Sequence, residues 1–233
     1  YSSAASDVYK RQQLVSRSWV DGYYYRPRTD RDDLEKYHEG LIVCSACLGG
    51  EIPQKIMKGD ISAAREAVEW YHHLFGDDFY LELQRHEVTD PTLRANREVF
   101  PLQQKVNQVL QDFSKEYGIK LICTNDCHFE DKETAEAHDH LLCLSTGKDL
   151  DDPSRMVYTK QEWFKTREEM NVVFSDIPEA LRNTTEILDK VEFYSIDHGP
   201  IMPCFPIPES FGTEEQWRKK FTEEELFHEF TSD

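Results

Sequence analysis

Between Arg31 and Leu144 the apolar positions follow two alternating rhythms, one with a period of about 3.6 residues and one of about two. Arg31–His38 reads as a short helix, and Gly40–Ala46 (GLIVCSA) as an apolar strand. Asp60 is placed to cap a helix over Ile61–Phe75, where Ala64, Val68, Tyr71 and Phe75 recur at helical spacing. Asp78–Arg85 (DFYLELQR) alternates like a strand. Val99–Tyr117 reads as a long helix that ends before Gly118, Ile119–Thr124 (IKLICT) as the next strand, and Thr134–Leu144 as the next helix. Strand, helix, strand, helix, strand, helix is the order of a parallel sheet covered by helices, so the fold class is α/β.

The remainder is mostly helical. Asp176-Ile177-Pro178 opens a helix with proline near its first position, and that helix runs to about Val191. His198 to Gly212 holds Gly199, Pro200, Pro203, Pro206, Pro208 and Gly212, a density that marks a linker. The acidic tail from Thr213 starts another helical unit. Tyr1 to about Gln12 shows no periodicity and is set aside as a cloning or assembly remnant. The first residue is Tyr rather than Met, which suggests that the beginning has been cut away.

The chain has 233 residues, 39% hydrophobic and 12% aromatic, enough to bury a core. No run approaches the ~20 apolar residues of a membrane span, and the first residues lack the apolar region of a secretory signal. The formal net charge of −18 argues against a surface that grips duplex DNA through its phosphates. The carboxylates serve solubility, or some of them serve a cation site. The six cysteines do not form the dense framework of a small secreted fold, and four lie in or beside apolar runs. A reducing compartment follows, hence the cytoplasm.

The sharpest chemical constellation is Thr124-Asn125-Asp126-Cys127-His128-Phe129, directly after a strand. In extended chain, residues two apart point the same way, so Asp126 and His128 would offer a carboxylate and an imidazole to one point. Such a pair suits a divalent cation, and strand carboxyl ends are where parallel α/β folds carry their sites. The competing reading is a strand-end turn, with Asp126 capping amides and His128 exposed. Ser45-Ala46-Cys47-Leu48-Gly49-Gly50-Glu51 follows another strand and would place the Cys47 thiolate at the same rim; Cys47 could equally be a small buried residue. Cys44 and Cys47 form a C-x-x-C, but Cys44 lies within the apolar run, which disfavours a redox pair. Glu82, Gln84 and His86 share a strand face and read as a partly exposed polar surface. His138 and His140 fall on different helix faces, and His72 and His73 face solvent. No phosphate-binding glycine loop or nucleophile elbow is present.

Several segments together resemble the alpha subunit of bacterial DNA polymerase III: GLIVCSACLGGEIP (Gly40–Pro53), DDFYLELQRH (Asp77–His86), LICTNDCHF (Leu121–Phe129), HDHLLCLSTGKDLDD (His138–Asp152) and FSDIPEALRNTTEI (Phe174–Ile187). Gly22–Gly40 and Met202–Trp217 resemble its flanking stretches, and the likeness runs from about Gln13 to the end. The resemblance implies the C-terminal part of a PHP (polymerase and histidinol phosphatase) domain over residues 13–198, a distorted (βα)7 barrel whose strand ends hold divalent metals. Residues 199–233 would be a linker into the start of the polymerase palm. Carried over by motif, Cys47 and then Asp126 and His128 are metal ligands, for zinc or manganese. The other ligands would lie upstream, and the magnesium-binding catalytic aspartates of the palm outside this chain.

The implied parent is a DNA-directed DNA polymerase, a nucleotidyltransferase of DNA replication, with 3′–5′ exonuclease or phosphoesterase chemistry at the PHP site. The fragment by itself is expected to be inactive. Implied partners are DNA, deoxynucleoside triphosphates, the sliding clamp, and the proofreading and clamp-loader subunits, with no membrane. Two alternatives remain open at this point. One is a non-catalytic PHP scaffold that braces the palm and docks a partner; the other is a stand-alone PHP phosphatase.

Overall fold

The computed structural model describes residues 8–88, 92, 94–191 and 209–225. The chain divides into two compact units, Tyr1–Glu192 and Phe193–Asp233. The first holds a three-stranded parallel sheet in the order β1 (Val43–Cys44), β2 (Phe79–Gln84), β3 (Leu121–Thr124). Val43 and Cys44 stand opposite Phe79 and Tyr80, and Leu81 through Gln84 opposite Leu121 through Thr124. The α/β class and the three strand positions agree with the sequence pattern, although β1 is much shorter than its apolar run.

Helices occupy the intervals. They are α1 (Val8–Val20), α2 (Arg31–Tyr37), α3 (Glu51–Met57), α4 (Ile61–Phe75), α5 (Arg94–Glu98) and α6 (Phe100–Tyr117), then α7 (Ala135–Thr146), α8 (Arg167–Val173) and α9 (Pro178–Lys190). Local chemistry sets several of their ends. The Asp60 carboxylate accepts the Ala63 amide at 2.9 Å and starts α4, satisfying a donor the helix cannot pair itself. Helix α6 has proline in its first turn and stops at Gly118, whose φ of 69° lies in the left-handed region that glycine enters cheaply.

Helix α1 begins inside the twelve residues set aside in the sequence. The short helices α3, α5 and α8 were not expected. Helix α3 carries Pro53 in its first turn, a position where proline is tolerated because its missing N–H would have no partner there. Helix α8 is announced by a capping box, Thr166 with Glu169, a signal present in the sequence.

Strand β2 divides its side chains between two layers. Phe79, Leu81 and Leu83 join Leu41 and Val43 in the main core, against Ile52 and Ile56 of α3, Val68 and Tyr71 of α4, and Leu110 and Phe113 of α6. Tyr80 points the other way and packs with Ile42, Cys44 and Ile122, joined by Ile187 of α9. Helix α9 is tied to the sheet edge: Asn183 donates to the Leu121 carbonyl at 2.8 Å and the Tyr80 hydroxyl to Glu186 at 2.7 Å.

In the second unit, a short turn (Glu209–Phe211) precedes α10 (Glu214–Lys220), which the Thr213 hydroxyl caps. The expected linker, His198 to Gly212, lies mostly outside the described residues, as does Cys204. Among the described residues no helix is long and apolar enough to cross a membrane.

Leu83 is fully buried, whereas Leu144 on α7 is 79% exposed. Leu83→Ala should destabilise the first unit by about 2–5 kcal/mol and Leu144→Ala by less than about 0.5 kcal/mol. Urea unfolding followed by circular dichroism reads both, and equal costs would contradict this packing.

Candidate functional site

The backbone turns abruptly just beyond two strand ends. Ala46, two residues after β1, has φ 64°, and Asp126, two residues after β3, has φ 45°. Non-glycine residues enter the left-handed region at a cost of order 1–3 kcal/mol, a strain that clusters at functional sites. The Asp126 carboxylate stands 3.7 Å from His128 Nε2, with both side chains about one-third exposed. The expected convergence therefore occurs, through a left-handed kink rather than through extended chain.

The loop that carries this pair is fixed from the opposite side by residues 159–164. The Asn125 amide group donates to the carbonyls of Gln161 at 2.9 Å and Trp163 at 2.7 Å. The His128 amide donates to the Glu162 carbonyl at 2.8 Å, and Phe129 bridges to Trp163. Tyr158 lies against the His128 ring at 4.5 Å between centroids, and His138 of α7 stands 6.0 Å away. His140 turns outward, so the two α7 histidines face apart as their spacing implies. Burial, and then electrostatic interaction with Asp126, Glu162 and Cys47, push the Tyr158 phenol above its ordinary pKa. Tyr158 is thus a neutral hydroxyl that senses Asp126 and Cys47 and lies against the His128 ring.

Cys47 sits in the turn after β1, where the Gly50 amide bonds back to its carbonyl at 2.8 Å. A side chain at position 50 would come within 2.3 Å of the Ser45 carbonyl, so this close approach requires glycine. Cys47 and Glu82 line one small cleft. Cys44 is a buried free thiol pushed up to about 12 by desolvation, which makes it a poor redox partner for Cys47. Asp126 and His128 come together; Cys47 does not complete a cluster with them. Among the described residues no group of three or more His, Cys, Asp or Glu side chains is arranged to hold a metal ion.

One reading of the sequence requires correction. Glu82, Gln84 and His86 are buried, not a partly exposed face, because β2 is the central strand and both its sides are covered. Glu82 accepts hydrogen bonds from Gln84, at 3.0 Å, and from the Thr124 hydroxyl. His86 Nε2 lies 2.9 Å from the Asn125 carbonyl and must donate to it, since a carbonyl only accepts; Nδ1 then accepts from Gln103 at 2.9 Å. Desolvation lowers the His86 pKa, with the carboxylate of Glu162 opposing, so the ring is neutral and pins the loop that carries Asp126. Glu162 in turn accepts the Thr159 amide and hydroxyl at 3.0 and 2.7 Å. Two buried oxygens at this rim, Glu82 Oε2 and Asn125 Oδ1, have no donor among the described residues. Tyr158, Thr159 and Glu162 were missed because they reach the site from a distant segment without a motif.

A groove of about 690 Å³ lies elsewhere. Its lining includes Gln104, Asn107 and Gln111 with the Arg85–Asp176 ion pair, which is bidentate at 2.6 and 2.8 Å and self-neutralising. None of Cys47, Asp126 and His128 lines it.

The chain is similar to known proteins over most of its length. Residues 8–86 match the PHP domain family. The chain is 41% identical over 216 residues to DNA polymerase III subunit alpha of Borreliella burgdorferi, which covers 92% of this chain and 18% of that protein. Against the Campylobacter jejuni and Thermus aquaticus subunits the identities are 38% and 36%, over 85% and 90% of this chain and 16% and 17% of theirs. The chain is a homologue of DNA polymerase III subunit alpha. It spans less than a fifth of the length of these relatives, and its PHP-domain match ends at His86, before α5, α6, β3 and the loop where Asp126 and His128 meet.

Two solution measurements follow from these environments. A thiol reagent at neutral pH should modify exposed Cys127 while sparing Cys44 and Cys123, both buried and pushed up to about 12. Peptide mapping that found Cys44 modified as fast as Cys127 would contradict the packing. Burial brings the Lys165 amine down to about 8. It should gain acylation reactivity near that pH in competitive labelling, well below the ~10.4 of an ordinary lysine. The sign for stability follows: between about pH 8 and 10.5 the unfolded chain holds this proton where the folded one has lost it, so the cost of burying the Lys165 ammonium is relieved as pH rises through that window.

Proposed function

We propose that this chain is the PHP-domain portion of a replicative DNA-directed DNA polymerase, and that Cys47, Asp126 and His128 contribute to a divalent-cation site at the sheet's carboxyl rim. The observation that carries the cation reading is the 3.7 Å approach of Asp126 to His128 on a strained, doubly anchored loop. The donor chemistry fits: a hard carboxylate oxygen, an imidazole nitrogen and a thiolate suit zinc or manganese. The set is incomplete among the described residues, so further donors would come from the longer protein.

A bound cation would supply Lewis acidity and lower the pKa of a bound water for hydrolysis of a phosphoester, as in 3′–5′ exonuclease action. The chain's own groups do the positioning. Asn125 and His86 hold the loop, Tyr158 backs the His128 ring, and the kink at Asp126 turns its carboxylate toward His128. On this reading the sheet is the C-terminal part of a (βα)7 barrel, and residues beyond 198 lead toward a palm domain with its own magnesium site. DNA and deoxynucleoside triphosphates would be the parent's substrates, with sliding clamp, proofreading and clamp-loader subunits as partners in the cytoplasm.

The test is metal content and single-strand 3′-exonuclease activity of the full-length parent protein. Asp126→Ala and His128→Ala should each lower bound zinc or manganese and cut metal-dependent hydrolysis by at least ~10-fold. Unchanged metal content in both variants would overturn the cation reading and leave the PHP domain as a scaffold.

A further inference from the structure

The loop that follows α1 concentrates features the fold does not use. Trp19, Tyr23, Tyr24 and Tyr25 are 59%, 54%, 65% and 80% exposed, although large aromatic rings are ordinarily the residues a fold buries. Trp19 and Tyr23 form a stack with centroids 5.7 Å apart and planes 17° from parallel; Tyr24 and Tyr25 meet edge to face at 4.6 Å. The stretch from Arg17 to Arg31 carries four arginines against two aspartates, a local excess of positive charge in a chain of net charge −18. Arg17 is tied to Asp33 and Asp21, and Arg31 to Glu51 and the face of Trp70. Arg26 and Arg28 stay exposed beside the rings, with Arg28 lying 5.5 Å over Tyr24.

The presentation is built, not loose. The amides of Asp21 and Gly22 close onto the Arg17 carbonyl at 2.8 and 3.0 Å, and the Tyr24 amide bonds to the Arg26 carbonyl at 3.2 Å. Gly22 lies so close to the Arg28 carbonyl that a side chain there would come within 2.0 Å of it. The apex is Tyr25, a bulky residue held at φ 59°. Left-handed backbone at such a residue is costly, and its mostly exposed ring recovers little by packing. The strain makes sense if the ring has a partner in solution.

We infer that the Trp19–Arg28 loop is a binding surface for single-stranded nucleic acid, with unpaired bases stacking on the exposed rings and phosphates meeting Arg26 and Arg28. Base–aromatic stacking tolerates any sequence because every base has a π-face, and adjacent arginines supply the electrostatic part. Two free guanidiniums on an acidic body are too few to hold a duplex through its phosphates, whereas flat rings need bases that are already unpaired. The inference does not depend on the cation reading of Asp126 and His128.

The probe is a fluorescein-labelled oligothymidylate of about a dozen nucleotides, titrated with the 233-residue chain at ~50 mM and ~200 mM salt. Binding should weaken with salt and quench Trp19 fluorescence, and a photoreactive thymidine analogue should crosslink within residues 19–28. Tyr25→Gly suits the left-handed backbone and removes only the ring. Combined with Tyr24→Ala, it should weaken binding at least ~10-fold with the thermal midpoint held or raised. Arg26→Ala with Arg28→Ala should weaken binding and flatten its salt dependence. No binding at ~50 mM salt, full binding by both double variants, or crosslinks confined to other segments would each overturn the proposal. So would self-association of the chain through these rings without uptake of the oligonucleotide.

Discussion

Strand β2 is buried along its whole length, so each polar group it carries must find its partner inside the protein. That requirement shapes the sheet's carboxyl end. Glu82 draws in Gln84 and Thr124, and the Gln84 carbonyl takes the Asn107 side-chain amide from α6. His86, just past the strand, reaches across to the Asn125 carbonyl. These bonds link β2 to the loop after β3, and the loop's kink turns Asp126 toward His128. A polar network inside a low-dielectric core is expensive unless it is satisfied, so its geometry is specified closely. The position of the acid–imidazole pair follows from the core rather than from the surface.

How much of this was legible in sequence depended on whether the cause was local. Asp60 caps its helix and Gly118 ends one by contacts within a few residues, so α4 and α6 could be delimited from the chain alone. The alternation in DFYLELQR likewise revealed a strand. It misled about the polar side, because alternation ordinarily marks one wet face, while a central parallel strand is covered on both. Asp126 and His128 stood out by following a strand. Tyr158 and Glu162 could not, since they owe their roles to a segment some thirty residues away folding back along the loop, as the contact of Phe129 with Trp163 records.

Glu82 Oε2 and Asn125 Oδ1 bear on what the site lacks. A buried acceptor without a donor is costly, and here two occur at neighbouring strand ends, beside a carboxylate–imidazole pair with no third ligand among the described residues. A sheet complete in itself would not concentrate unmet acceptors at one rim. Satisfying these two atoms takes donors that the described residues do not supply.

The use of positive charge separates the body of the fold from the α1 loop. Arg85 is committed to Asp176, Arg155 to Asp139 through two bonds of 2.6 and 3.0 Å, and Arg65 to Glu116. Each joins segments far apart in sequence, so those guanidiniums serve as braces, and a chain so rich in carboxylates has partners for them at little cost. Arg26 and Arg28 brace nothing comparable and sit among rings that the core does not take up. Carboxylates abound throughout the sequence, so neutralising two more arginines would have been easy. Leaving them exposed, on a loop closed by Gly22 and strained at Tyr25, directs charge and aromatic surface outward together, and a flexible polyanion with exposed bases can use both at once.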